Sequence, residues 1–350
     1  MRNYHMRIAI DTSPLYNDNK NRGVGIYTKR LLKEIKRNSN LKVLEFNNHR
    51  SIPPCDLVHY PYFDSFYLTL PLIKKYPTVV TIHDMIPLVF PNQFPKGIKG
   101  EIKWQIQRNS LRSVKAIITD SYSSKKDVMK YANIEENKIY VAYLGPTLNP
   151  INHDLRKWDE MKNEYNIPDK FFLYVGDINY NKNLKNLYKA IKYVKEKINL
   201  VLVGSSFLND NLKEKKELDN LSDELKINEQ LIKVGLLSDE ELSLFYLKAF
   251  AYIQPSLYEG FGLPVLDALY LGCPVISSNT GSLNEIIGDT SIKINPDNER
   301  DISLGIIKML SLDSLEYNKI IEKGKIQSAK FSWGKTAKET IEIYKKVLAK

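Results

Sequence analysis

Long apolar runs are missing from this 350-residue sequence. None reaches the roughly 18–20 residues that a helix needs to cross a bilayer, so no membrane-spanning helix is expected. The opening Met1-Arg2-Asn3-Tyr4-His5 is polar and leads straight into the strand-like Ile8-Ala9-Ile10. No apolar core of a secretory signal lies between them, and the expected location is the cytoplasm. Cysteine is nearly absent. Cys55 and Cys273 are far apart, each beside a proline, which excludes a disulfide framework and a cysteine metal site. No H-E-x-x-H or D-x-D pattern occurs, so no metal and no cofactor are expected. No nucleic-acid-binding motif accompanies the basic charge, and nucleic acid is not an expected partner.

Acidic residues are scarce in one part of the chain only. Residues 1–150 hold 23 Lys and Arg against 12 Asp and Glu, whereas the rest hold 28 against 29. The net charge of +10 therefore belongs to the first half, which suggests an anionic partner there. The plainer reading is a lysine-rich composition without consequence.

What is present is globular. Hydrophobic residues make up 43% and charged residues 26%, a soluble balance, and the length suits two domains. Short apolar runs at 7–10, 41–46, 57–60, 78–82, 116–119 and 139–142 read as strands. A second series follows at 171–175, 200–203, 231–234, 251–254 and 274–277. Helical patterns lie between them, at 26–36, 99–114, 184–197, 239–249 and 263–271. Continuous apolar strands alternating with helices predict an α/β protein with buried parallel sheets and right-handed crossovers. Gly145-Pro146 and Asn149-Pro150 break regular structure, and a linker is expected over 145–152. In such sheets ligands bind at the carboxyl ends of strands, so the residues just after each strand carry the chemistry.

The richest of these follows the strand at 251–254 and reads Glu259-Gly260-Phe261-Gly262-Leu263-Pro264-Val265-Leu266-Asp267-Ala268. The two glycines permit a tight turn, and Pro264 suits the first turn of a helix. Amides of Phe261, Gly262 and Leu263 at that helix start would offer donors to phosphate or sugar oxygens. Glu259 sits at the lip of the turn. Asp267 lies about one turn into the helix, where it could accept from hydroxyls. Taken alone, Glu259 reads equally well as a cap.

The whole string resembles the E-x7-E signature of the retaining, GT-B-fold glycosyltransferases of family 4. The likeness extends to Arg22-Gly23-Val24-Gly25-Ile26-Tyr27, His83-Asp84, Asp120-Ser121-Tyr122-Ser123, Gly176 through Asn183, Gly235 and Gly272-Cys273-Pro274-Val275. It is nearest the mannosyltransferase-like branch used in polysaccharide and lipopolysaccharide assembly. The resemblance implies two Rossmann-like domains facing across a cleft, at 1–148 and 149–330, with 331–350 returning to the first. It implies an acceptor site in the first domain and a nucleotide-sugar site in the second. Glu259 would then contact the donor sugar and Asp267 the ribose, although the family usually has Glu at the second position. Lys182 resembles the lysine that neutralises the donor diphosphate, where a fixed cation lowers the barrier to its departure. Many members carry an arginine directly after the glycine, where this chain has Asp177.

Further site residues follow from the resemblance. Gly176 and Gly235 would line the donor site, and Gly25 would touch the donor from the first domain. The Gly23-Val24-Gly25 pattern alone is weak, because Thr28 replaces the third glycine of a phosphate-binding turn. His83 would act at the active site, with Asp84 and Ser121 on the acceptor side. The implied activity is metal-independent transfer of a hexose, mannose from GDP-mannose being the first guess and UDP-hexoses the next. The implied acceptor is a glycan or lipid-linked glycan. Lys29, Lys33 and Lys36 fall near one helix face, with Arg30 and Arg37 beside it, a stripe that would suit an anionic membrane surface. Two other readings stay open: a sugar-nucleotide epimerase or phosphorylase of the same fold, and a non-catalytic nucleotide- or glycan-binding protein.

Overall fold

The computed structural model describes residues 6–20, 22–150 and 155–349. The polar opening at 1–5 and positions 151–152 of the expected linker lie outside the described residues. The chain divides into two compact units, Met1–Gly145 with Phe331–Lys350, and Pro146–Lys330. The division thus falls at Gly145-Pro146 rather than after 148. Among the described residues, no helix is long and apolar enough to cross a membrane.

The first unit is built on β1 (Met6–Asp11), β2 (Leu41–Phe46), β3 (Leu57–Tyr60), β4 (Thr78–Ile82), β5 (Ala116–Thr119) and β6 (Ile139–Val141). All pair in parallel, in the order β2-β1-β3-β4-β5-β6. Parallel neighbours need a crossover, and the crossover helices cover both faces of the sheet. This is why Ile8, Ala9, Ile10, Val79, Val80, Ile117 and Ile118 are buried without alternation.

The helix Gly23–Ile35 starts earlier than the hydrophobic pattern suggests, taking both glycines into its first turn. Gly25 is required there because a Cβ would lie 2.3 Å from the Asn19 carbonyl oxygen. The helix Trp333–Leu348 buries Trp333, Ala337, Thr340, Ile341 and Tyr344, a helical spacing, and Ser332 caps its start by accepting from Lys335 N. It packs on the first unit beside Gly23–Ile35.

The second unit carries β7 (Phe172–Val175), β8 (Leu200–Val203), β9 (Leu231–Val234), β10 (Ala251–Gln254), β11 (Val275–Ser278) and β12 (Ile292–Ile294). Their order is β12-β11-β10-β7-β8-β9, again parallel throughout. β12 escapes sequence reading because the exposed Lys293 interrupts its short apolar run. The helices Leu155–Glu164, Lys213–Leu225, Glu299–Ser311 and Ser314–Ser328 were likewise not singled out. The first two are among the most polar in the chain, and only a narrow stripe of each faces inward. Strand order reverses between β1 and β3 in one sheet and between β10 and β7 in the other. These are the switch points where carboxyl-end loops part and leave room for a ligand.

A buried polar chain ties the last helix to the first sheet. His59 on β3 is fully buried, with Nδ1 2.6 Å from the Tyr344 hydroxyl and Nε2 2.8 Å from Thr81 Oγ1. Tyr27 reaches the same Thr81 hydroxyl at 2.9 Å. Burial, with the nearby His83, drives the His59 pKa down to about 3, so the ring is neutral. Tyr344→Phe leaves one ring nitrogen without a partner and should cost the unit about 1–3 kcal/mol. Urea unfolding followed by tryptophan fluorescence reads this, and an unchanged midpoint would contradict the role of this bond.

Candidate active site

The loops that leave β7 and β10 part at the switch point of the second sheet and are then sewn back together. Gly176 follows β7, and a short 3-10 turn, Tyr180–Lys182, leads to Asn183 in left-handed backbone, φ 60°. Asn183 Nδ2 donates to the carbonyls of Pro255, at 2.9 Å, and Pro296, at 2.7 Å. Asn181 Nδ2 donates to the Tyr258 carbonyl at 3.0 Å, while its own carbonyl accepts from Leu257 N at 2.8 Å. The two asparagines therefore fix the backbone on either side of Lys182.

Lys182 Nζ consequently meets both carboxylate oxygens of Glu259, at 2.8 and 2.9 Å. Glu259 Oε1 also accepts from Ser256 Oγ at 2.7 Å and Gln254 Nε2 at 3.0 Å. Gln254 is itself oriented by the Tyr252 hydroxyl, which donates to its Oε1. The Glu259 carbonyl accepts from Ser282 Oγ at 2.9 Å. The carboxylate is buried and bonded to Lys182, Ser256 and Gln254, and removing one partner of such a charged pair strands the other charge. Chemically it is a preorganised acceptor for hydroxyls beside a cation suited to phosphate oxygens.

The helix Leu263–Leu271 begins from Gly262, whose φ of 110° favours glycine. Phe261 and Gly262 are buried, Leu263 is half-buried, and the Phe261 carbonyl accepts from Ser282 Oγ at 2.7 Å. Gly235 follows β9 and faces the Leu208 side chain. Asp177 occupies the place of the family arginine, and its Oδ1 accepts from Ser206 Oγ at 3.1 Å.

Asp267 is buried, and its carboxylate accepts from Thr147 N and Thr147 Oγ1, both at 2.5 Å, and from Leu148 N at 3.3 Å. The group implied for the ribose is thus engaged by the loop segment at 147–148. Nothing in the motif announces this, because Thr147 lies far away in sequence.

In the first unit His83 follows β4, largely buried. Its Nδ1 is 2.6 Å from Asp120 Oδ2 and its Nε2 3.0 Å from the Pro61 carbonyl oxygen. A carbonyl can only accept, so Nε2 carries a proton, and a second proton lies between Nδ1 and Asp120. Burial alone would lower the His83 pKa. The charge and hydrogen bond of Asp120, with the Pro61 carbonyl, outweigh it and raise the value. Burial raises Asp120 too, against the opposing effect of His83, and its Oδ1 finds no donor among the described residues. Both shifts say that the shared proton stays on the pair. Tyr27 packs edge-on against the His83 ring at 4.7 Å.

Both ring nitrogens of His83 therefore have protein partners, Asp120 and the Pro61 carbonyl. Asp120 stood in the quoted motif without a role, and the structure makes it the residue that orients His83. Ser121 is fully buried and caps the helix Tyr122–Asp127 by accepting from Ser124 N at 3.0 Å. Ser124 Oγ in turn donates to the His83 carbonyl at 2.8 Å. Asp84 Oδ1 accepts from Ile86 N at 2.9 Å, an Asx turn into the next helix. Gly25 N donates to the Asn19 carbonyl at 3.2 Å. Among the described residues no three His, Cys, Asp or Glu side chains cluster as a metal ion would need.

Two α/β units of six parallel strands, each open at a switch point, define a GT-B fold. Residues 157–327 match the family Glycosyl transferases group 1, and residues 7–148 match Glycosyltransferase Family 4. The chain belongs to this glycosyltransferase family. It is 27% identical over 289 residues to a serotype-specific mannosyltransferase of Escherichia coli, covering 81% of this chain and 35% of that protein. It is 28% identical over 287 residues to the O-antigen chain mannosyltransferase B of Escherichia coli, covering 80% of this chain and 72% of that one. The chain thus spans about a third of the first relative and nearly three quarters of the second. Among solved structures, Anabaena Alr3699/HepE in complex with UDP and glucose superposes with a TM-score of 0.73 at 16% identity, over 98% of this chain and 100% of that one.

The His83–Asp120 geometry predicts a titration. The shared proton should leave above the ordinary histidine value of about 6.5. In Asp120→Asn the raising charge is gone, and burial should push the His83 midpoint below that value. Imidazole NMR on both proteins checks this, and a wild-type midpoint at or below about 6.5 would sink it.

Proposed function

We propose that the chain is a retaining hexosyltransferase using a nucleotide-sugar donor, and the observation that carries this is the anchored Lys182–Glu259 pair. A nucleotide sugar offers a diphosphate beside a polyhydroxylated ring, and the pair offers a cation beside a hydroxyl acceptor. On donor binding the diphosphate draws Lys182, and Glu259 turns its freed lone pairs to the sugar hydroxyls. Lys182 then offsets the charge that develops on the leaving diphosphate.

Glu259 is bonded to Ser256 and Gln254 as well as Lys182, which suits a positioning group better than an attacking nucleophile. Transfer with retention then proceeds on the face that the diphosphate leaves. That diphosphate accepts the proton of the incoming hydroxyl, and no second carboxylate is needed, in contrast to retaining hydrolases. Asp267 serves the donor indirectly, by holding residues 147–148 to the helix that begins at Gly262.

The names of the Escherichia coli relatives favour mannose as the sugar and a polysaccharide as the product. The UDP and glucose of the Anabaena structure keep UDP donors beside GDP-mannose. The acceptor is proposed to be a glycan or lipid-linked glycan, handled by the first unit at the cytoplasmic face of an anionic membrane. The reaction is proposed to need no metal, since lysine and backbone amides serve the diphosphate.

Three measurements test this. Thermal shift with GDP, UDP, ADP and their sugars should show stabilisation by one nucleotide class, because a ligand of the folded state raises its stability. Glu259→Ala should lower transfer at least about a hundredfold with the fold intact. Near-normal transfer in that variant contradicts the assignment, and donor binding without transfer by the wild type points to the non-catalytic reading. Transfer should also persist in EDTA. Loss on chelation, restored by magnesium or manganese, overturns the metal-free proposal.

A further inference from the structure

The basic excess of the first unit has two surfaces on which to act, and they are not equivalent. On the helix Gly23–Ile35, Lys29 and Lys33 point to solvent, but Lys36 Nζ is paired with Glu45 at 2.5 Å and Arg37 with Glu34 at 2.8 Å. Part of that stripe is already neutralised, and no large apolar side chain on it is exposed.

The second surface combines charge with exposed apolar groups. Residues 66–74 run along the helix Gly97–Arg112 and are bonded to it by their backbone. Gln107 accepts from Thr69 N at 3.2 Å and Leu70 N at 3.0 Å and donates to the Leu70 carbonyl at 3.0 Å. Ser110 Oγ donates to the Pro71 carbonyl at 2.7 Å, and Lys74 Nζ to the Ser110 carbonyl at 2.7 Å. The polar groups of the segment thus turn toward the helix, while Tyr67, Leu68, Leu72 and Ile73 are left outward. On the helix, buried Gly100, Trp104, Gln107 and Leu111 mark the inner face. Ile98 and Ile102, one turn apart, stand on the other side. Ile73 is 89% and Ile98 83% exposed, and the other four are each more than half exposed.

Cations lie among these six residues. Lys103 Nζ sits 5.0 Å over the Tyr67 ring, and Lys75 and Lys99 are exposed. Glu101, the acid of the same helix turn, is already paired with Lys96. Apolar side chains this exposed are unfavourable in water unless something covers them. The cover must be apolar in its depth and anionic at its rim, which describes the headgroup region of an anionic bilayer.

We propose that this face, residues 66–75 with the outer side of the helix Gly97–Arg112, is where the protein seats on an anionic membrane. The proposal deepens the membrane part of the function proposed above. It moves the contact from the Lys29–Lys33 stripe to a surface that can both insert and attract.

Co-sedimentation with vesicles decides it, using the full chain and phosphatidylcholine vesicles with and without roughly 30% phosphatidylglycerol. Wild type should bind the anionic vesicles and not the neutral ones, with added salt weakening the binding. The double substitution Ile73→Glu and Ile98→Glu should reduce binding at least about tenfold, while Lys29→Glu with Lys33→Glu should change it less than about threefold. Both sets lie at exposed positions, and the nucleotide thermal shift on the same samples reports an intact fold and donor site. A persisting shift with no vesicle binding by wild type overturns the membrane seat and leaves the transferase reading standing. Equal binding by the isoleucine variant overturns it too, as does self-association that this variant abolishes, which would make the face a protein interface.

Discussion

Lys182 and Glu259 are 77 residues apart in sequence and 2.8 Å apart in space, and the second unit is arranged so that they meet. Burying two charges costs solvation, and such a pair persists only where geometry is good and the remaining lone pairs are satisfied. Here Ser256 and Gln254 complete the carboxylate, and Asn181 and Asn183 hold the lysine's backbone. Those asparagines reach the carbonyls of Tyr258 and Pro255 because β7 and β10 are neighbours in the sheet. That adjacency exists because the strand order reverses there. The topology makes the pair, and the pair is the core of the candidate site.

The first unit solves a similar problem with a different donor set. Its carboxyl edge carries His83 and Asp120, from β4 and β5, which are adjacent in the sheet. Burial penalises charge on each, so the pair shares its proton and is neutral as a unit. Around it runs a connected set of buried polar groups, from Tyr344 through His59 and Thr81 to Tyr27, whose ring packs on His83. The last helix of the chain is therefore linked by hydrogen bonds and ring packing to the residue that family likeness places in the active site. Stability and site geometry share the same bonds in this unit.

How far the sequence could be read depended on the range of the interaction. Eleven of the twelve described strands are legible as short apolar runs, because a central parallel strand covered on both faces must be apolar along its length, whereas the edge strand β2 keeps Lys42 and Glu45 exposed. The helix Leu263–Leu271 is legible to the residue, because Gly262, Pro264 and Gly272 punctuate it. Lys182 and Glu259 are legible as candidates through their motifs. The engagement of Asp267 by Thr147, the closure of both His83 nitrogens and the burial of Ser121 are not, since each rests on a partner's position in space rather than on a local pattern. The exposed isoleucines at 73 and 98 are equally silent in sequence, where they look like ordinary core residues.

By itself the sequence determined the alternation of apolar runs and amphipathic helices, the basic excess of its first 150 residues and the motifs at strand ends. These are local properties, set by backbone sterics, side-chain periodicity and charge. Only the tertiary structure decided which carboxylate meets a lysine, which meets a histidine and which is spent on a neighbouring backbone. Hydrogen bonds act over about 3 Å, and it takes the sheet order to bring groups from distant parts of the chain within that distance.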